Sequence, residues 1–115
     1  RRSGICPRLD HFDQALAGIA GVSVLARRAD SESAYWAYSF RAQRRAGLLR
    51  KLHEHGIGAQ RLHLRNDRYG CFAGARGGPL PGVQVFDAEN VAIPCGWWVS
   101  DEDRSGIAAV IRAGW

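Results

Sequence analysis

No apolar run in this 115-residue chain approaches the ~20 residues that a bilayer-spanning helix needs, so a membrane helix is excluded. The opening stretch, RRSGICPRLD, starts with two arginines but has no continuous apolar core behind them, so it does not read as a secretory signal. Cysteine is scarce and unpatterned. Cys6, Cys71 and Cys95 are odd in number and lack CxxC spacing, which points to reduced thiols in a cytoplasmic protein rather than a disulfide framework or a zinc site. His53 and His55 stand two residues apart near a helix end and so cannot face one ligand, and no metal site is expected there or at His63. Lysine is almost missing: Lys51 stands alone against fifteen arginines. The net charge of +5 favours an anionic partner. Because no RNP, zinc-finger or helix-turn-helix signature accompanies it, nucleic acid is the minor reading. Internal repeats and low-complexity tracts are absent.

What is present suits one compact domain over residues 1–115, with 46% apolar and 23% charged residues, both ordinary for a globular protein. Pro7 at a first turn and Leu9, Phe12, Leu16 and Ile19 at spacings of three and four predict a helix over 7–19, ended by Gly18 and Gly21. A short strand over 22–25 and a polar loop over 29–33 follow. Residues 35–41 form the strongest strand pattern, with Trp36, Tyr38 and Phe40 on one face as sheet core. A second helix is predicted over 43–55, its stripe made by Leu48, Leu49 and Leu52, with Lys51 toward solvent. Gly56 is its left-handed cap, with Ile57 closing a Schellman stop. An extended run over 59–64 then completes a β-α-β unit. The Gly/Pro-rich 74–82 stretch reads as a loop, one helical turn is expected within 85–91, and a brief strand over 91–94. Trp97 and Trp98 are expected to pack under a last helix. That helix opens on the N-cap Ser100 with Asp101, Glu102 and Asp103, and buries Ile107, Val110 and Ile111.

The stretch 56–69, GIGAQRLHLRNDRY, concentrates the chemistry. Arg61, His63, Arg65, Asn66, Asp67, Arg68 and Tyr69 combine cationic donors with hydroxyl-matching groups, a set suited to an anionic, hydroxyl-rich ligand. The plainer reading is a solvated loop, with Asp67 as a turn former or helix cap.

The order of the pieces carries more than any one of them. RRAGLLRKLHEHGIG runs into the block His63-Leu64-Arg65-Asn66-Asp67-Arg68-Tyr69, with Phe72 after it. Leu80-Pro81, Ile93-Pro94 and Ser100-Asp101-Glu102-Asp103 then follow. This succession, from about Leu9 to Trp115, resembles the C-terminal small domain of the DegT/StrS family, the fold-type-I, pyridoxal-phosphate-dependent aminotransferases of nucleotide-linked keto-sugars. The block HLRNDRY with IPCGWWVSDED is similar to a branch associated with surface-polysaccharide sugars. The resemblance implies that the Schiff-base lysine, the aspartate at the pyridine nitrogen and most phosphate contacts belong to a large domain absent from this sequence. Many members carry His-Tyr-Pro-x-Pro-x-His after the GIG turn. Here His63 matches the first histidine, Arg65 and Asp67 replace the prolines, and Tyr69 takes the place of the second histidine. Substrate contacts are thus implied for Arg61, His63, Arg65, Asn66 and Tyr69.

The expected fold is α+β, a small, mainly antiparallel sheet with helices on one face. The expected function is the C-terminal domain of a sugar aminotransferase for surface-polysaccharide biosynthesis, with a homodimeric parent. Such a domain is inactive alone and takes no pyridoxal phosphate by itself. The alternative is a truncated stand-alone module that binds anions or nucleic acid.

Overall fold

The computed structural model describes residues 6–31, 35–75 and 77–115, with side chains from Asp10 onward. The expected stripe position of Leu9, the Cys6 thiol, the end of the 29–33 loop and Arg76 of the 74–82 loop fall outside the described residues or side chains.

Three antiparallel strands, β1 (Val22–Val24), β2 (Ala37–Ala42) and β3 (Asn90–Pro94), lie in the order β1-β2-β3. Phe40 of β2 sits between Val24 and Val91, and Tyr38 lies opposite Ile93. Because side chains alternate along a strand, Tyr38, Phe40 and Ala42 share one face with Val91 and Ile93. Onto that face pack α1 (Cys6–Leu16) through Phe12 and Leu16, and α2 (Arg45–Glu54) through Leu48 and Leu52. α4 (Asp101–Arg112) joins them through Ile107, Ala108 and Ile111. These helices are 11, 10 and 12 residues long, lengths at which an isolated helix is marginal in water. Burial therefore holds them, at about 1.5–3 kcal/mol per fully buried Leu, Ile or Phe side chain. The one polar atom Tyr38 brings inward is satisfied: its hydroxyl donates to Asp13 Oδ1 at 2.7 Å. Burial, with the Asp13 carboxylate, pushes that phenol far above its ordinary pKa.

Local chemistry ends the helices as expected. Gly56 has φ +71°; its N–H donates to the His53 carbonyl and that of Ile57 to the Leu52 carbonyl, both at 2.9 Å. These two bonds make the Schellman stop. At Ser100 the Asp103 N–H donates to Ser100 Oγ (3.0 Å) and the Ser100 N–H donates to Asp103 Oδ2 (3.1 Å), a reciprocal capping box.

Other expectations are corrected. The first helix stops at Leu16 rather than 19, with Gly18 at φ +76°, although Ile19 still packs on the core. The 59–64 run is not a strand: only Gln60 pairs, with Ala92, because the next amide, that of Leu62, donates to the Asn90 side chain rather than its backbone. Helix α3 runs Pro81–Glu89, much longer than one turn. Pro81 fits its first position, where no N–H is needed, but Val83 and Val85 stay exposed, so no apolar stripe announces it. Trp36 is 67% exposed, since the β2–β3 ladder begins one residue later, at Ala37 opposite Pro94. Trp97 and Trp98 are exposed too; Cys95 and Val99 occupy the buried places on either side of them. The Trp98 ring folds back over Gly96, where a Cβ would lie 2.2 Å from it. Lys51 is half-buried, its amine donating to the Gly114 carbonyl.

Candidate functional site

The segment after the Gly56 stop is pinned along the outer edge of β3. Ala59 is buried, and Gln60 and Ala92 exchange backbone bonds at 3.0 and 2.7 Å. The Leu62 N–H donates to Asn90 Oδ1 at 3.0 Å. Asn90 is itself 1% exposed, so this polar side chain is committed to holding the segment. His53 donates from Nε2 to the Ala59 carbonyl at 2.6 Å, and His55 donates to the Lys51 carbonyl. Both are occupied in fastening the helix end.

Beyond Leu62 the side chains separate into two groups. His63 stacks on Trp36, ring centroids 6.3 Å apart and planes at 21°, and both rings are exposed. Residues Asn66–Arg68 form a 3-10 turn, with the Arg68 and Tyr69 N–H groups donating to the Arg65 and Asn66 carbonyls at 3.1 Å. Across this turn Arg65 grips Asp67 in a two-point pair, Nε to Oδ1 at 2.9 Å and Nη2 to Oδ2 at 2.6 Å. The guanidinium holds the Asp67 carboxyl below the usual carboxylate range, and the same bond raises Arg65. Arg65 has five N–H donors, so three remain for a ligand. Asp67 is thus a local anchor, close to the turn-forming role read from the sequence.

Asp87 is the residue that sequence reasoning missed. Its side chain is 8% exposed at the end of α3; it accepts from Arg68 Nη2 at 2.8 Å and faces Arg61 Nη2 at 3.8 Å. Its backbone carbonyl accepts from Arg45. The available signal was a lone aspartate inside the largely apolar stretch 83–93. Four guanidinium groups, of Arg45, Arg61, Arg65 and Arg68, therefore gather around two carboxylates, Asp67 and Asp87. Burial first, and then the nearby charge of Arg61, lower the pKa of Arg45. Two unmatched positive charges in a half-buried setting attract an anion more strongly than two on open surface.

Of the five residues assigned to the substrate, the structure brings Arg61 and Arg65 into this cluster and sets His63 beside Trp36. Asn66 and Tyr69 lie exposed at the two ends of the turn. Arg65 and Asn66 also line a cavity of about 460 Å³ with Phe72, Leu80 and Val83. A guanidinium-rich rim beside an apolar hollow can take a ligand with one anionic and one less polar part. The one lysine, Lys51 on α2, donates its amine to the Gly114 carbonyl.

A scan against protein-family models gives no match, and neither does a search of curated proteins. Solved structures do match. The sugar aminotransferase CalS13 from Micromonospora echinospora superposes with a TM-score of 0.90 at 36% identity, over 96% of this chain and 30% of that one. AtS13 from Actinomadura melliaura gives 0.87 at 34%, over the same shares. A DegT DnrJ EryC1 StrS aminotransferase from Brucella abortus, at 22% identity and a TM-score of 0.85, shares the fold, again over 30% of its length. The chain thus spans about a third of the solved proteins it matches. On these likenesses, over 96% of its length, the chain belongs with the C-terminal small domain of the DegT/StrS family of sugar aminotransferases.

Proposed function

We propose that this chain is the substrate-facing small domain of a pyridoxal-phosphate-dependent aminotransferase acting on nucleotide-linked keto-sugars for surface-polysaccharide biosynthesis. The observation that carries the reading is the cluster of four guanidinium groups around Asp67 and Asp87, in a chain 36% identical to part of a sugar aminotransferase. A diphosphate matches guanidinium geometry in two-point pairs, so Arg61 and the free donors of Arg65 hold the nucleotide's phosphates. His63, steadied by Trp36, and Asn66 hydrogen-bond sugar hydroxyls, and Tyr69 closes the end of the turn.

Transamination supplies its chemistry through pyridoxal phosphate, and the residues that hold that cofactor belong to a large domain outside this chain. Alone, the chain orients substrate and catalyses nothing. The parent is a cytoplasmic homodimer, and no described helix is long and apolar enough to cross a membrane.

The test joins the chain to the large domain of a compatible sugar aminotransferase. Arg65→Ala and Asn66→Ala should weaken nucleotide-sugar binding by about tenfold or more, on the order of 1.4 kcal/mol, with the unfolding midpoint little changed. Parallel losses of stability and binding would make both residues structural and sink the reading.

A further inference from the structure

A second arginine group adjoins the first and shares Arg45 with it. Arg44, just before α2, and Arg45 and Arg50 on its first two turns line an open hollow of about 620 Å³ with Gln43, Glu89 and Trp115. That volume is in the range of small-molecule sites, roughly 300–1,000 Å³. Glu89, the one carboxylate in the lining, is already engaged by Arg41 Nε at 2.8 Å. Among the described residues the Arg50 side chain makes no hydrogen bond or ion pair, and the Arg44 side chain makes only a cation–π contact, its guanidinium carbon 6.0 Å from the Trp115 ring. Arg45 has donors beyond those it places on the Asp87 and Asn90 carbonyls.

Three like charges converging on one hollow repel each other unless an anion joins them. Ordinary surface arginines avoid this by pairing or by spreading into water. Arg44 and Arg50 are exposed and Arg45 is half-buried, but one wall of the hollow is fixed. Trp115 is held in place by its Nε1–H, which donates to the Gln43 carbonyl at 2.9 Å, and by Gly47, whose lack of a side chain admits the ring. The indole is a fixed wall against which Arg44 rests. The uncapped start of α2 adds its amide dipoles to the same side, but the charge comes from the guanidinium groups.

We propose that this cavity is a second anion site, which takes a compact oligophosphate, the di- or triphosphate chain of a nucleotide or an inorganic polyphosphate. Linked phosphates offer several guanidinium groups a two-point pair each, where a single phosphate offers fewer. An extended nucleic acid needs cations strung along a track; these sit in one concavity bounded by Trp115 and Glu89.

Calorimetric titration of the 115-residue chain with inorganic tripolyphosphate in about 0.15 M salt, where exposed charges are screened beyond roughly 8 Å, tests this. The titration is run in an Arg65→Ala background, which removes a phosphate contact proposed for the 61–69 block, and one saturable site is expected to persist there. Arg50→Glu and Arg44→Glu should each weaken it by at least about tenfold, while Arg28→Glu, a reversal elsewhere on the surface, should change it by no more than about twofold. Arg50 has no partner to lose, so its variant keeps the fold, checked by circular dichroism, and decides the matter if Arg44→Glu does not. The Trp115 indole N–H resonance should shift with the same midpoint. ATP binding as tightly as tripolyphosphate identifies the phosphate chain as the whole ligand; tighter ATP binding adds a nucleoside contact, and both support the site. No saturable heat up to millimolar concentration would overturn the proposal. So would equal losses in all three variants, or displacement by single-stranded DNA with affinity that grows with strand length.

Discussion

Replacing Asp87 by Asn tests whether one carboxylate holds the candidate site together. The substitution keeps the size of the side chain and removes the charge that Arg68 meets at 2.8 Å and Arg61 at 3.8 Å. Were all three groups buried, stranding the cations would cost about 3–5 kcal/mol. They are not equally buried: the Asp87 side chain is 8% exposed, but that of Arg61 is 29% and that of Arg68 51%. Arg68 can turn to water, so its desolvation is largely refunded. What is lost is one short charge-assisted hydrogen bond and a longer attraction, at a carboxylate that water barely reaches. Bonds to charged groups contribute about 1.5–3 kcal/mol, and the fall should lie in that range. With a urea m-value of ~1–3 kcal/mol/M for a small domain, the midpoint drops by about 1 M at constant m. A double-mutant cycle with Arg68→Ala should return a coupling of about 1 kcal/mol or more. The Tyr69 amide, bonded to the Asn66 carbonyl, should exchange faster in the variant. A loss below about 0.5 kcal/mol, within the range of ordinary surface substitutions, would show that Asp87 does not anchor the 61–69 segment.

The remaining expectations are shorter. Ile111→Ala, at a fully buried position, should cost ~2–5 kcal/mol in urea unfolding, and Ile107→Ala less, because Ile107 also lines an open groove and its removal leaves space that water fills. Equal costs would contradict this account of the groove. Asp67 and Asp103 have carboxyl pKa values lowered in the folded state, by Arg65 and by Ser100. The unfolded chain therefore binds more protons, so their stabilisation is whole above an ordinary pKa of about 4 and is lost as pH falls through the folded values. Thermal midpoints measured from pH 5 to 2 should fall, and Asp103→Asn should flatten part of the decline. Pyridoxal phosphate added to the chain should give no stoichiometric aldimine band; a micromolar band abolished by Lys51→Arg would mean the chain is an enzyme by itself.

Helix stops and caps were legible from sequence because they depend on neighbours within a few residues. Gly56 with Ile57, and Ser100 with Asp103, need only the local backbone to make their hydrogen bonds. The core stripes of α2 and α4 and the Tyr38/Phe40 face of β2 followed from periodicity, since burial repeats with the geometry of each element. The tryptophans did not follow. Hydrophobicity predicts that a large apolar ring gains from burial, but only the register decides whether a place exists. Pairing from Ala37 to Pro94 leaves Trp36 beyond the ladder, and Cys95 and Val99 fill the places expected for Trp97 and Trp98.

The candidate site divides along the same line. Its residues could be named from the 61–69 stretch, because donors and acceptors crowd together there in the chain. Their partners could not. Asp87 reaches Arg68 across 19 positions, and the carbonyl of Asp87 meets Arg45 across 42. Coulomb attraction depends on distance in space and on how much water intervenes, and neither is set until α3 and β3 are docked beside the segment. Sequence by itself determined which charges this chain carries and where its helices stop. The tertiary structure alone decided which of the described arginines meet Asp87 and which pair elsewhere.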